Sequence, residues 1–367
     1  MIYELLEKHK ADFFVMYASS KDPNFYYAVS MKLPDPAFYA IGEDGTEILV
    51  VHEMERRRAE RESRVKEIVS LSDVGFYEKV KELGVEKALA ETYAEILKEH
   101  RARKILVPKE FPSFLYKQLS EHFEIEIVSN PFSKLRSVKK SWEIKEIKKA
   151  SEIALNALKF FLEIVKKERR VEELRRKVEL FVYEKGALAE DTIITSGKRS
   201  ADPHFVGEGI IEKHVIFDIF PKIRDSGYYS DFTRTVIIEK DEEIAEMLKA
   251  CVEAKNEAIK IIKEGVEAKE IHDKVCDVLE SYGYKTIRQK AKEGFIHSTG
   301  HGVGLEVHEE PKIFNSEEKL KSGMVFTVEP GLYYEKVGGV RVEDLILVKK
   351  NGCEVLTKFS DYVEVIP

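Results

Sequence analysis

The sequence has little of what a covalent or redox scaffold needs. It contains three cysteines, Cys251, Cys276 and Cys353, with no C-x-x-C spacing. Neither a zinc knuckle nor a dithiol couple is therefore expected. Cys251 and Cys276 fall in helical-looking runs and are expected to pack as small apolar groups. No apolar run reaches the length of about 18 residues that a spanning helix needs. The first residues carry Glu4, Glu7, Lys8, Lys10 and Asp12, whereas a secretory leader would start basic and turn apolar, so a cytoplasmic location is expected. There is no excess of positive charge. Sixty Lys and Arg face 67 Asp and Glu, for a net charge of −7, and nucleic acid is not an expected partner. Glutamine and asparagine are scarce, with two and six copies, while charged residues make up 35%. That bias is typical of hyperthermophile proteins and speaks of habitat rather than chemistry. Internal repeats, low-complexity segments and a phosphate-binding glycine loop are also lacking.

What is present is a chain of 367 residues, 43% of them hydrophobic, enough for two cored domains. The first third alternates short apolar runs with helical patterns. Phe13–Tyr17, Ala37–Ile41, Glu47–Val51, Lys104–Val107 and Glu124–Val128 read as strands, with Glu43-Asp44-Gly45 as a turn. Glu53–Val69 and Glu86–His100 read as helices. A small α/β domain over residues 1–133 is expected. Asn130-Pro131-Phe132-Ser133 breaks the pattern. A long helix then starts with Ser141 as N-cap and Glu143 in its first turn, and a second runs from Val171 to Lys185 before Gly186. Strands are expected at Asp191–Thr195, His214–Ile219, Tyr228–Ile238, Val325–Glu329 and Val340–Val348. Helices are expected at Glu242–Lys263 and Ala268–Tyr282. Residues 134–367 thus read as an α+β domain.

The chemistry concentrates between residues 204 and 343. Asp218 ends the apolar run His214–Phe217, and Asp231 opens Asp231-Phe232-Thr233-Arg234-Thr235. A carboxylate in an apolar strand is costly unless paired or ligating. Arg234 or backbone groups could satisfy either one. In His297-Ser298-Thr299-Gly300-His301-Gly302-Val303-Gly304-Leu305-Glu306-Val307-His308, three histidines alternate with glycines that let backbone approach a ligand. Glu329 and Glu343 sit in two further apolar strands, with Arg341 available to partner Glu343 or Asp231. Four buried carboxylates and a histidine form a hard-oxygen donor set. It suits two divalent metals and metal-assisted hydrolysis.

These motifs resemble the pita-bread metallopeptidases, which include methionine aminopeptidases, X-Pro aminopeptidases and prolidases. The resemblance runs from about Lys140 to Val365, behind a creatinase-like α/β domain. It rests on Ser-Asp-Phe-Thr-Arg-Thr, Gly-His-Gly-Val-Gly-Leu and Val-Glu-Pro-Gly as they stand here. It implies that Asp218 serves one metal, that His301 and Glu329 serve the other, and that Asp231 and Glu343 bridge them. The metals would be Mn, Co, Zn or Fe. Glu329 would also shuttle a proton for a bridging hydroxide. His204 and His308 would face the substrate, His297 would be a further active-site histidine, and Arg341 would hold a ligand carboxylate from behind. The front domain and the form of the histidine loop point to the proline-specific branch. The implied substrate is then a small peptide with proline second, most simply an X-Pro dipeptide, and the implied assembly is a homodimer.

The sequence departs from the family in three places. Asp218 and Asp231 lie two residues further apart than usual, and the extra length in Phe220–Asp225 reads as a longer hairpin loop. Glu190 stands where relatives place a phenylalanine beside the proline pocket. Lys312 stands where prolidases tend to use an arginine for the substrate carboxylate; it keeps the charge but loses the bidentate fork. The alternatives are an X-Pro aminopeptidase for longer peptides, a metal-free creatinase-like hydrolase, and a non-catalytic binding module. The intact ligand set argues against the last two.

Overall fold

The computed structural model describes residues 1–365, which divide into two compact units, Met1–Arg136 and Ser137 onward. The break falls three residues beyond the expected one. Asn130 caps a short helix, Pro131–Leu135, that completes the first unit, accepting a hydrogen bond from Phe132 N–H.

The first unit is built on a six-stranded sheet. Its strands are β1 (Phe13–Ala18), β2 (Ala37–Gly42), β3 (Glu47–Val51), β4 (Glu67–Ser70), β5 (Lys104–Pro108) and β6 (Glu124–Val128), in the order β4-β3-β2-β1-β5-β6. The period-two alternation of β1 sends Phe13 and Val15 into one core and Phe14 and Met16 into another, so helices cover both faces. One expected helix is corrected. It spans only Glu53–Glu62, and the rest of the segment read as helix ends in strand β4. Val65 is buried, and Ile68 and Val69 pair with Leu49 and Val50 of β3. A branched apolar cluster beside an existing strand edge gains more from the sheet than from one more helical turn.

The second unit repeats one plan: two helices, then a sheet. Helices Ser141–Ile164 and Val171–Glu184 pack on the sheet β19-β11-β9-β8. Its strands are β8 (Ile193–Ser196), β9 (His214–Ile219), β11 (Phe232–Ile237) and β19 (Val363–Glu364). Helices Glu242–Ile261 and Ala268–Ser281 pack on the sheet β13-β12-β14-β17-β18. That sheet comprises β12 (Gly300–Gly302), β13 (Glu309–Ile313), β14 (Val325–Val328), β17 (Asp344–Lys349) and β18 (Gly352–Val355). Two ribbons complete it: β7 (Ala187–Leu188) with β10 (Lys222–Ile223), and β15 (Gly331–Tyr334) with β16 (Gly338–Arg341). Cys251 and Cys276 are buried in the helices, as expected.

Several expected elements differ in detail. Lys140, not Ser141, is the residue before the first long helix, and its N–H donates to Glu143 Oε2 at 2.6 Å. Tyr228–Asp231 is loop, and the strand starts only at Phe232. The run Val340–Val348 is two strands, with Val342 and Glu343 at the break. The long loop after Asp218 folds into β10, which pairs with β7. Among the described residues, no helix is long and apolar enough to cross a membrane.

Candidate active site

Strand alternation selects the site. On β9, Val215, Phe217 and Ile219 face the helices, which leaves Ile216 and Asp218 on the opposite face. On β11, Phe232 and Val236 are in the same core, and Thr233 lies directly opposite Asp218. In the other half, Phe326 and Val328 of β14 face the helices, as do Val340 of the β15–β16 ribbon and Val342 after it, so Thr327, Glu329, Arg341 and Glu343 fall on the other side. The two helix-free faces meet through hydrogen bonds. Glu343 N–H donates to Thr233 O at 3.1 Å, and the Thr233 hydroxyl donates to Glu343 Oε2 at 2.7 Å. Asp231, Glu329 and Glu343 therefore sit just outside strand ends, whereas Asp218 is paired on both sides within β9.

His301 is the middle residue of β12, held between β13 and β14. The flanking glycines serve this packing rather than a ligand. A Cβ on Gly300 would lie 1.8 Å from Thr327 O, and one on Gly302 would lie 2.1 Å from Glu310 O. His301 N–H donates to the Thr327 hydroxyl at 3.0 Å, and that hydroxyl donates to Glu329 Oε1 at 2.9 Å. His301 Nδ1 lies 3.2 Å from Gly302 O, which turns Nε2 toward the carboxylates. Nε2 is 3.2 Å from Glu329 Oε1 and 3.7 Å from Asp231 Oδ2.

Ligand-type atoms of Asp231, His301 and Glu343 all lie within 4.8 Å of one another. Asp218 Oδ1 and Glu343 Oε1 are buried without a hydrogen-bond partner among the described residues. Buried carboxylate oxygens are almost never left so, and a divalent cation is what such lone pairs would satisfy. The electrostatics agree. Burial, then the neighbouring Glu343, Asp218 and Glu329, push the Asp231 carboxyl far above the usual carboxylate range. Glu343 is pushed up likewise, by burial and then by Glu329 and Asp218. Glu329 goes the other way. Burial would raise it, but the hydrogen bond and charge of His301, with His297 and Arg341, bring it down to about 2. Protein without cations must hold protons in this cluster, and cations would displace them.

Arg341 does not partner Glu343 or Asp231. Its Nη2 donates to Asp218 Oδ2 at 2.6 Å, and its Nη1 to the Tyr333 hydroxyl at 2.8 Å and to Pro203 O at 3.2 Å. The Tyr333 hydroxyl, accepting from Arg341, is left to donate to His297 Nε2 at 3.2 Å, while His297 Nδ1 is 2.7 Å from Ser298 O. Both ring nitrogens of His297 are thus engaged by the protein, and burial lowers its pKa. His308 is exposed, its ring 4.1 Å from that of His301, and burial of its ring followed by the charge of His301 lowers its pKa. His204 is exposed close enough to affect both His297 and His308. Lys312 is exposed opposite His301 across the ladder and makes no ion pair among the described residues. Glu190 is also exposed.

Arg234 does not satisfy Asp218 or Asp231 either. It is fully buried and pairs with Asp344 at 2.8 Å on the far side of β11. Tyr333 is a site residue that sequence reasoning missed. Its signal was faint: an aromatic four residues past Glu329 on a strand of the right parity.

The fold and the donor set together define a metal-dependent hydrolase on the pita-bread plan. The model of metallopeptidase family M24 matches residues 145–350, and the chain belongs to that family. It is 36% identical to the Xaa-Pro dipeptidase of Pyrococcus horikoshii over 370 aligned residues, covering 97% of this chain and 95% of that one. Among solved structures it resembles the prolidase of Pyrococcus furiosus, with a TM-score of 0.81, 30% identity and coverage of 98% and 99%. It also resembles the X-Pro aminopeptidase of Thermotoga maritima, with a TM-score of 0.79, 27% identity and coverage of 100% and 98%.

Proposed function

We propose that this metallopeptidase hydrolyses the X-Pro bond of dipeptides with two divalent cations. The observation that carries the substrate class is the near full-length likeness to a Xaa-Pro dipeptidase. The orphaned oxygens of Asp218 and Glu343 support the cations. Asp218 would serve one ion, His301 and Glu329 the other, and Asp231 and Glu343 both. Bound there, Mn, Co, Zn or Fe ions would supply Lewis acidity toward the carbonyl and acidify a water.

The remaining work falls to the chain. Glu329 moves the proton from the attacking water to the leaving nitrogen, with its carboxylate oriented by Thr327 and His301. His308 and His204 donate to the scissile carbonyl as charge develops on it. Arg341 fixes Asp218 from behind, and His297 fixes Tyr333 and through it Arg341. Lys312, a cation opposite His301 with no ion pair among the described residues, takes the dipeptide's terminal carboxylate. That favours dipeptides over the second reading, an X-Pro aminopeptidase, which the Thermotoga likeness keeps in view. A homodimer and a cytoplasmic location complete the proposal; light scattering tests the first.

The test is hydrolysis of Met-Pro and of a longer X-Pro peptide by metal-stripped enzyme resupplied with Mn or Co, with Glu329→Gln as control. Cleavage of the dipeptide alone, lost in the variant, is expected. Cleavage of both makes it an aminopeptidase. Cleavage of neither, with ions bound, overturns the proline assignment.

A further inference from the structure

Behind the site, on the helix side of β11, lies an ionic cluster that touches no ligand atom. Arg234 is fully buried. It donates to Thr233 O at 2.9 Å, Glu343 O at 2.5 Å, Phe359 O at 3.3 Å, Ser360 O at 2.9 Å and Asp344 Oδ1 at 2.8 Å. Asp344 Oδ2 accepts from Lys255, which also pairs with Asp361. Two cations and two anions are thereby balanced. The Thr357 hydroxyl closes the cluster, 3.3 Å from Asp344 Oδ1, while accepting from Leu345 N–H at 2.8 Å.

Such a cluster is a poor source of stability, because apolar replacements of buried ion pairs are often as stable. What it does that apolar packing cannot is hold two backbones at one spacing. Thr233 follows Asp231 by two residues in one sheet, and Glu343 precedes β17 of the other. A single guanidinium binds both carbonyls. The two carboxylates proposed to share both cations are carried by these two segments. Arg234 is itself held by carbonyls 359 and 360 and by the charge of Asp344, which Lys255 and Asp361 balance.

We propose that Arg234, Lys255, Asp344 and the segment Thr357–Asp361 are positioning residues of the metal centre, so that the C-terminal segment sets its cation affinity. This rests on the ligand reading of Asp231 and Glu343. Outer partners of metal ligands commonly govern about 10–100-fold in affinity.

Asp361 is the member to change, because its side chain is 19% exposed and its loss leaves no buried cavity. Metal-free wild type, Asp361→Asn, Asp361→Glu and the isosteric Thr357→Val are titrated with Mn²⁺ by calorimetry. Their Co²⁺ complexes are compared by visible absorption. Lys148→Met, which breaks an exposed ion pair with Glu354 elsewhere in the unit, controls for a merely structural loss. The expected result is about 10–100-fold weaker Mn²⁺ binding and an altered Co²⁺ spectrum in Asp361→Asn. Thr357→Val moves the same way, Asp361→Glu is partly restored, and Lys148→Met matches wild type. Wild-type affinity and spectrum in both Asp361→Asn and Thr357→Val overturn the proposal. Failure of wild type itself to bind Mn²⁺ overturns the ligand reading instead.

Discussion

Lys139 and Glu309 form a fully internal ion pair, each side chain 1% exposed, with Nζ 2.6 Å from Oε1. Glu309 follows His308 in sequence, and its Oε2 accepts from Leu305 N–H at 3.1 Å and Glu306 N–H at 3.4 Å. The pair therefore ties the histidine loop to the start of the second unit. Replacing Lys139 by methionine keeps most of the volume and removes this ammonium from the buried carboxylate. At an effective dielectric of about 20, the attraction at this distance is about 6 kcal/mol, most of it offset by desolvation of both ions. Breaking one side of such a pair costs about 3–5 kcal/mol. For a unit of this size, 1 kcal/mol moves the melting temperature about 2–4 °C, so a fall of about 6–20 °C is expected. The double variant Lys139→Met/Glu309→Gln should regain much of the loss. The amide removes the charge that Lys139 balanced but keeps an oxygen for the two loop N–H groups. Calorimetric melting and guanidinium titration measure both. A loss below about 1 kcal/mol in the single variant would mean that the pair behaves as a surface pair rather than a buried one. A double variant weaker than the single one would contradict the buried-pair account as well.

Further outcomes are expected. Glu329→Gln should lower kcat by about 10²–10⁴ while the melting temperature stays near wild type, because the change removes one proton carrier; stopped-flow hydrolysis reads it. Lys312→Met should lower kcat/KM for a dipeptide by about 10–100-fold, mostly through KM, the weight of one charged hydrogen bond. It should barely change a longer peptide; equal losses on both would remove Lys312 from substrate recognition. The melting temperature of metal-free protein should fall relative to that of Mn-loaded protein as pH rises from about 4 toward neutrality. The sign follows from Asp231 and Glu343. With their folded pKa values raised, the folded state holds protons that the unfolded state releases, so stability is lost as pH rises. Cations replace those protons and remove the loss. Parallel melting curves across that range would contradict it.

Much of the architecture was legible because its cause is local. Period-two runs such as Glu47–Val51 and His214–Ile219 became strands with those bounds, and the long helices kept theirs within a residue or two. The short strands were not legible. β12 is three residues with two glycines, and its pairing depends on β13 and β14 arriving from elsewhere in the chain. β4 was hidden in a charged segment because Ile68 and Val69 fit either period until β3 lay beside them.

The candidate site divides in the same way. Asp218, Asp231, Glu329 and Glu343 could be singled out in sequence, since each is a costly group in an apolar run; His301 was picked from three neighbouring histidines only by the family resemblance. Which charge faces which could not be read there. Arg341 and Arg234 each stand two residues from a strand residue of the same parity, and nothing local distinguishes their partners. The crossing of the two sheets sends Arg341 to Asp218 and Arg234 to Asp344. The residue types and their apolar surroundings pointed to buried carboxylates, and so to a hard-oxygen donor set, because a carboxylate buried among apolar residues must be protonated, hydrogen-bonded or matched by a cation. Which cation answers which carboxylate followed from packing alone, because ion pairing is set by distances of a few ångströms between segments about a hundred residues apart.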